Sequence, residues 1–278
     1  MNSLVSLKNV SKMYADKLIF CNVSMSVKTA KPIVIMGKNG CGKSTLLKII
    51  AGVLRHTEGE ISRMPKIKIS YMPDRFPKLP FKVWGYLRHM GRIQGISDMD
   101  IKNYVDMQFE YLSIPKNIME QKIHKCSKGT IQKINIMQAF MSKPDLLVVD
   151  EPFSGLDEGS IDRLIELLAE TAQNETAIIL SCHEKVLAQR VTDNLFVFDG
   201  QKLIKSSFAL DCMRIKFIAK TNEAKFDYLA EKTISIIKTD KMHEVLVEKD
   251  NMKEVLFLLL ENGHEVYSVN PVIHEVNI

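Results

Sequence analysis

The chain has 278 residues, of which 46% are hydrophobic and 26% charged, with a mean hydropathy of -0.04. These values exclude a disordered chain, a collagen and a disulfide-stapled miniprotein, and no apolar run approaches the ~18 residues of a membrane span. A net charge of +5, from 38 basic and 33 acidic residues, permits contact with phosphates or a membrane surface without demanding a nucleic acid partner.

The length predicts between one and two domains. The opening MNSLVSLKNV has no charged region followed by an apolar one, so no signal peptide is expected. Cys21, Cys41, Cys126, Cys182 and Cys212 form no CxxC pair, which points to free thiols in a reducing cytoplasm and away from a zinc ribbon.

In chain order, Leu4–Val10 and Asn22–Val27 read as short strands, and Pro32–Met36 as a compact apolar one. A glycine-rich loop then leads into a helix over Ser44–Arg55, whose Leu46, Leu47, Ile49, Ile50 and Val53 recur at helical spacing. Four prolines between residues 65 and 80 predict a loop with one strand at Ile67–Tyr71. Helices are predicted at Trp84–Ile93, Asp98–Leu112 and Thr130–Met141. Leu146–Val149 reads as a buried strand, Ile161–Thr171 as an amphipathic helix, and Ala177–Leu180 and Leu195–Phe198 as further strands. Strands alternating with helices predict an α/β core with parallel strands, carrying the helical stretch from about 76 to 142 as an insertion. Beyond residue 213 the rhythm changes. Ile215–Ala219, Thr233–Lys238, Glu244–Glu248 and Glu265–Val269 read as strands, Lys238–Lys241 as a hairpin turn and Met252–Glu261 as a helix, which predicts a small α+β unit over 214–278.

Three stretches carry chemistry. Gly37-Lys38-Asn39-Gly40-Cys41-Gly42-Lys43-Ser44 fits G-x-x-x-x-G-K-[ST], in which backbone N–H groups wrap a phosphate chain, Lys43 reaches the β- and γ-phosphates and Ser44 holds Mg²⁺. Its place between a predicted strand and helix adds the positive N-terminal end of that helix. Asp150 and Glu151 end the LLVV strand, where one carboxylate can bind Mg²⁺ and the other can orient or deprotonate a water; alone, such a pair is an ordinary acidic strand end. Ser127 reads either as a helix N-cap or, with Gly129, as a second anion site. A second anion site beside one phosphate loop suggests a nucleotide gripped by two subunits.

The order of motifs over about the first 210 residues resembles an ABC (ATP-binding cassette) ATPase. GKNGCGKST (Gly37–Thr45) resembles the family's Walker A, and Tyr14 stands at its adenine-stacking position. Tyr71-Met72-Pro73-Asp74 resembles the Q-loop, CSKGT (Cys126–Thr130) the signature and LLVVDEP (Leu146–Pro152) Walker B with the catalytic Glu. Ser154-Gly155-Leu156-Asp157 is similar to the D-loop, and His183 to the switch histidine.

The resemblance implies a P-loop NTPase cassette, with a RecA-like core, an antiparallel β-subdomain and a helical subdomain, over residues 1–213. It implies ATP and Mg²⁺ as ligands. Lys43, Glu151 and His183 are then catalytic, with Glu151 acting on the water. Tyr14, Gly37, Asn39, Gly40, Cys41, Gly42, Lys43, Ser44 and Thr45 bind ATP, and Ser44, Asp74 and Asp150 bind the metal. Two cassettes pack head to tail, so that Ser127 and Gly129 of one copy face the Walker A of the other and Asp157 lines the contact.

Two motifs depart from the family's pattern. Asp74 replaces the usual Gln, and the signature has Lys128 and Thr130 in place of Gly and Gln. Lys128 and the tail, with Met252–Val269 at its end, are similar to ABC-2 exporters of the bacitracin and lantibiotic resistance type. That subtype implies export of a hydrophobic or peptide compound through a separate membrane permease, with the cassette peripheral on the inner face of the membrane, most simply as a homodimer. Phe76, Phe81 and Trp84 are candidate permease contacts, although Trp84 reads equally well as packing within the helical subdomain. The alternatives are an importer ATPase, a soluble cassette acting on ribosomes or assembly, and a regulatory cassette that binds ATP without hydrolysis.

Overall fold

The computed structural model describes residues 3–28, 31–206, 212–220, 229, 232–233, 235–237, 242–248 and 251–271. The chain divides into two compact units, Met1–Ser206 and Ser207–Ile278.

The first unit opens with a hairpin of β1 (Val5–Tyr14) and β2 (Lys17–Val27), joined at its far edge by β4 (Glu58–Arg63) in an antiparallel sheet of order β2-β1-β4. Alternation sets the register. Leu7 lies opposite Met25 on one side and Ile61 on the other, which puts apolar residues on the face toward the core. Both strands run further than the sequence suggests. Bulges around Asn9 and Asn22, each in the left-handed region, interrupt the alternation. The freed N–H groups are satisfied by serines: Asn9 N donates to Ser24 Oγ (2.9 Å) and Asn22 N to Ser11 Oγ (3.1 Å).

The second sheet has six strands in the order β5-β6-β7-β3-β8-β9. These are β3 (Ile33–Met36), β5 (Ile69–Met72), β6 (Leu146–Val149), β7 (Ala177–Ser181), β8 (Leu195–Asp199) and β9 (Lys202–Ser206). The first five are parallel, and β9 returns antiparallel along the edge. The four residues of β6 and the five of β7 are all buried, as expected for parallel strands covered on both faces. Because β3, β5, β6 and β7 run the same way, their C-terminal ends open on one edge, and open α/β sheets bind their ligands beyond such an edge.

Helix α1 (Lys43–Ile50) is shorter than the sequence predicts. It stops at Ala51 because Gly52 follows in the left-handed region, and because Arg63 of β4 caps its last turn. Arg63 Nη2 donates to Ile49 O at 2.6 Å and Nε to Ile50 O at 3.4 Å. One guanidinium thus ties the antiparallel sheet to the helix behind the phosphate loop.

The helical stretch contains α2 (Val83–Ile93), α3 (Asp98–Tyr111), two short 3-10 turns (Lys116–Glu120 and Ile123–Lys125) and α4 (Lys128–Phe140). Ser97, Ser127 and Asp157 are the N-caps of α3, α4 and α5 (Glu158–Gln173), each side chain accepting a backbone N–H inside its helix. A further short helix, α6 (Lys185–Val191), follows β7.

In the second unit, β10 (Cys212–Ile218), β11 (Ser235–Ile237), β12 (His243–Glu248) and β13 (Glu265–Pro271) form an antiparallel sheet of order β11-β12-β10-β13. Val255 and Leu259 of α7 (Met252–Glu261) are buried in one core with Ile215, Phe217, Val245 and Val247 of the sheet. The hairpin turn expected at Lys238–Lys241 lies outside the described residues. Among the described residues no helix is long and apolar enough to cross a membrane.

Arg63→Met keeps the apolar stem and removes the charged cap of α1. It is expected to lower unfolding stability by about 2 kcal/mol, the usual worth of hydrogen bonds to a charged group. Urea denaturation of the two proteins, read by far-UV circular dichroism, measures it.

Candidate nucleotide site

The loop between β3 and α1 turns back over the helix it starts. Gly42 caps α1 at φ 112, a conformation open to glycine, and a Cβ there would lie 2.9 Å from Ile19 Cγ2. The next residue, Lys43, points into the loop and is 6% exposed. Its ammonium donates to Gly37 O at 2.8 Å and lies 3.4 Å from Glu151 Oε1.

Glu151 follows β6 and Asp150 with φ 48, a left-handed conformation that a non-glycine residue holds at a cost of about 1–2 kcal/mol. The bend sends the two adjacent carboxylates in different directions. Glu151 meets Lys43 through one oxygen and His183 Nδ1 through the other, at 2.8 Å. A carboxylate only accepts, so Nδ1 carries the proton.

Asp150 stays in the interior, 2% exposed, and accepts from Ser181 Oγ at 2.7 Å. Ser181 in turn accepts the backbone N–H of Glu151 at 2.8 Å. This serine at the end of β7 therefore holds both acidic residues, and the motif reading passed over it. The signal was present: a polar residue closes the wholly apolar run Ala177–Leu180.

Burial raises the Asp150 pKa above the ordinary carboxylate range, against the hydrogen bonds from Ser181 and Ser44 that lower it; Asp74 and Glu151 add a smaller upward push. Burial, and then Asp150, push Tyr71 upward too. The Tyr71 hydroxyl is buried without a hydrogen-bond partner.

A cleft of about 470 Å³ lies over these groups. It is lined by Asn39, Gly40, Gly42, Lys43, Ser44 and Thr45 of the loop, by Asp74 and Arg75, and by Glu151, Ser154 and His183. The loop, the acidic strand end, Asp74 and His183 thus meet at one edge of the sheet. Arg75 and Ser154 are additions to the expected set. Gly37 takes part through its carbonyl, while Cys41 is half-buried and packs against the core.

Tyr14, Ser127, Gly129 and Asp157 lie outside the lining of this cleft. Tyr14 ends β1, 47% exposed, with the Lys12 ammonium 4.7 Å from its ring centroid. Ser127 caps α4, accepting from Thr130 N at 3.2 Å and exchanging a hydroxyl hydrogen bond with Thr130 Oγ1 at 2.9 Å. The start of α4 packs against the loop after Glu151. Lys128 Nζ donates to Ser154 Oγ at 3.0 Å, and Gln132 Nε2 to Pro152 O at 2.9 Å. A Cβ at Gly129 would stand 2.8 Å from Gly155 O, so glycine permits this approach. Asp157 caps α5 and lies 3.5 Å from Lys133; its hydrogen bonds with Ser160 hold its carboxyl below the usual range.

The family pattern described as "ABC transporter" matches residues 20–154. The zinc import ATP-binding protein ZnuC of Vibrio vulnificus is 32% identical over 200 residues, covering 70% of this chain and 73% of that protein. The chain belongs to the ABC transporter ATP-binding family. An uncharacterized ABC transporter ATP-binding protein of Methanocaldococcus jannaschii is 27% identical over 260 residues, 92% of this cassette and 94% of that protein. Among solved structures, an ATP-binding subunit of an ABC transporter superposes with a TM-score of 0.67 at 25% identity, over 74% of this cassette and 90% of that chain. A dimeric cassette bound to ADP and Pi superposes at 0.65 with 20% identity, over 72% and 98%.

This cassette is therefore an ATPase that takes ATP with Mg²⁺. Its donor set suits that ion. Mg²⁺ prefers oxygen ligands and is held by one or two carboxylates together with waters and substrate phosphates. Ser44 lowers the Asp150 pKa and Asp74 raises it, so all three groups lie near one another.

A buried carboxyl whose folded pKa is raised makes the folded state bind more protons than the unfolded one. Stability then falls as pH climbs from the unfolded value, about 3.9, through the folded one. Asp150→Asn removes that loss and keeps an oxygen to accept from Ser181. In the absence of nucleotide and Mg²⁺, the variant is expected to melt above the wild type at neutral pH. The difference is expected to vanish in acid, while Mg²⁺-dependent turnover is lost. Thermal melts across a pH series beside an ATPase assay measure both.

Proposed function

We propose that this chain is the hydrolytic subunit of a membrane transporter, working as a homodimer with two ATPs between head-to-tail copies. The observation that carries the reading is a division of the site. The cleft is lined by the phosphate loop, Asp74, Glu151 and His183, with Asp150 buried next to Glu151 in the chain, whereas Ser127, Gly129 and Asp157 lie outside that lining, at the starts of α4 and α5. Head-to-tail packing supplies the missing half from a second copy.

In this reading the phosphate chain lies along the N–H groups of Gly40–Thr45 and takes the Lys43 ammonium from Glu151. Tyr14 stacks on the base, and Asn39, Gly37 and Cys41 shape the loop around the phosphates. Ser44, Asp150 and Asp74 would hold Mg²⁺, which would supply positive charge against the phosphate oxygens. Glu151, freed from Lys43, orients a water and takes its proton as the water oxygen attacks the γ-phosphorus and the bond to the β-phosphate oxygen breaks. His183 holds the second Glu151 oxygen and stands at the γ-phosphate. Ser127 and Gly129 of the partner copy close the site with the N-terminal end of their helix.

Glu151→Gln keeps the shape and removes the base. Turnover is expected to fall by about 10²–10⁴-fold with ATP binding retained. Wild-type turnover is expected to climb more steeply than linearly with protein concentration. Turnover that stays linear down to concentrations at which the protein is a monomer by analytical ultracentrifugation would exclude the obligatory pair.

The permease contact is proposed on the face near Phe76, Phe81 and Trp84. There Phe81 is 58% exposed, whereas Phe76 packs edge-on against Tyr86 with centroids 5.3 Å apart. Direction is the finer question. Lys128 and the C-terminal unit favour export of a hydrophobic or peptide compound, whereas the likeness to zinc import ATP-binding proteins favours import. Import has the stronger support, because 32% identity spans most of the cassette while the export signal is one residue and a tail. Reconstituting the cassette with its permease in vesicles, with ATP on the cassette side, separates the two. Import predicts that substrate accumulates on the ATP side, and export predicts its depletion there.

A further inference from the structure

A second cavity, of about 840 Å³, shares no lining residue with the nucleotide cleft or with the face near Phe76, Phe81 and Trp84. Its walls are the second half of α3, the end of α4 at Phe140, residues 143–145 before β6, and the last turns of α5 with the segment 174–176 that leads to β7. Sites for drug-sized molecules have volumes of about 300–1,000 Å³.

The cavity contains a residue out of place in its helix. The buried positions of α3 are Ile101, Val105, Gln108 and Phe109, an apolar stripe with one amide on it. Gln108 is 5% exposed, and its Oε1 is buried without a hydrogen-bond partner. Such an oxygen keeps its full desolvation cost, which a leucine here would avoid. The neighbouring hydroxyls do not relieve it. Tyr104 Oη donates to Met137 O at 2.8 Å and Tyr111 Oη to Arg163 O at 2.9 Å, so both protons are engaged and both rings are held as walls.

The charge on the lining is one-sided. Asp145, Glu170 and Glu175 stand against the single ammonium of Lys143. Among the described residues none of these three carboxylates is in an ion pair, and of their side chains only that of Asp145 accepts a hydrogen bond, from Lys68 N at 2.8 Å. Carboxylates and an amide oxygen accept and do not donate. Tyr104, Tyr111 and Phe140 add aromatic surface.

We propose that this cavity is a second ligand site of the cassette and takes an aromatic amine, a protonated nitrogen on a ring-bearing body. The ammonium supplies the N–H donors and the positive charge that the lining lacks. The ring packs against Tyr104, Tyr111 and Phe140, whose π faces also favour a cation. An acid of the same size meets like charge, and a neutral analogue forgoes the attraction. Nothing in the site requires nucleotide, so its failure and that of the ATPase reading are separable.

The test is a titration of the purified full chain with tryptamine, read by saturation-transfer NMR on the ligand. Tryptophol and indole-3-acetate keep the ring and make the head neutral or anionic. Tryptamine is expected to bind with a Kd of about 1 mM or tighter, whether or not ADP fills the nucleotide cleft. Tryptophol is expected to bind about tenfold more weakly, and indole-3-acetate not at all. Glu170→Gln/Glu175→Gln removes charge at constant shape and is expected to weaken tryptamine about tenfold, to the level of tryptophol. Gln108→Leu is expected to weaken it about fivefold while raising the melting temperature, a pairing that a merely structural amide would not produce. The proposal is overturned if tryptamine does not bind, if the three ring compounds bind alike, or if either variant binds tryptamine as tightly as the wild type. It is equally overturned if ADP displaces tryptamine, which would place the amine in the nucleotide cleft.

Discussion

The buried ammonium of Lys43 is the constraint around which the site is arranged. A cation that is 6% exposed requires compensating oxygens. The Gly37 carbonyl, with Lys38 O at 3.5 Å, holds the loop back over the start of α1, and the carboxylate of Glu151 supplies the charge. Glu151 arrives from a different strand, so the ion pair joins β6 to the loop after β3, and through His183 it reaches the end of β7. The parallel sheet makes this possible by opening three strand ends on the same edge.

The strain at Glu151 belongs to the same arrangement. A left-handed residue after a buried strand is unfavourable alone, yet it turns one carboxylate outward to Lys43 and leaves its neighbour Asp150 inside. Ser181 holds both ends of that bend, accepting from the Glu151 backbone and donating to Asp150. The raised pKa of Asp150 is the energetic counterpart: the folded chain keeps a carboxylate in a poorly solvated place, where a cation is favourable. Stability is given up there for the chemistry of ATP and Mg²⁺.

Contacts from the far side of the cleft tie this machinery to the helical stretch. Lys128 to Ser154, Gln132 to Pro152 and the close passage of Gly129 past Gly155 join the start of α4 to the loop that follows Glu151. Asn135 adds a similar tie, donating to the Pro73 carbonyl beside Asp74.

The sequence by itself determined the parts whose chemistry is local. The phosphate loop, the Asp150–Glu151 pair and the Ser127 cap lie within short stretches, where a backbone turn or a helix end dictates the residue type. The buried parallel strands were legible for the same reason, as compact apolar runs. Tertiary structure alone decided the edges and the joints. β4 has Ile61 as its one half-buried apolar residue, and β9 is a short strand held along one side, so neither carries a full alternating pattern. β1 and β2 lose theirs at bulges. Ser181, Gln132 and Arg63 are ordinary polar residues in sequence. Their roles come from oxygens and N–H groups that belong to distant segments. Hydrogen bonds between such segments exist only once the sheet has brought their ends together.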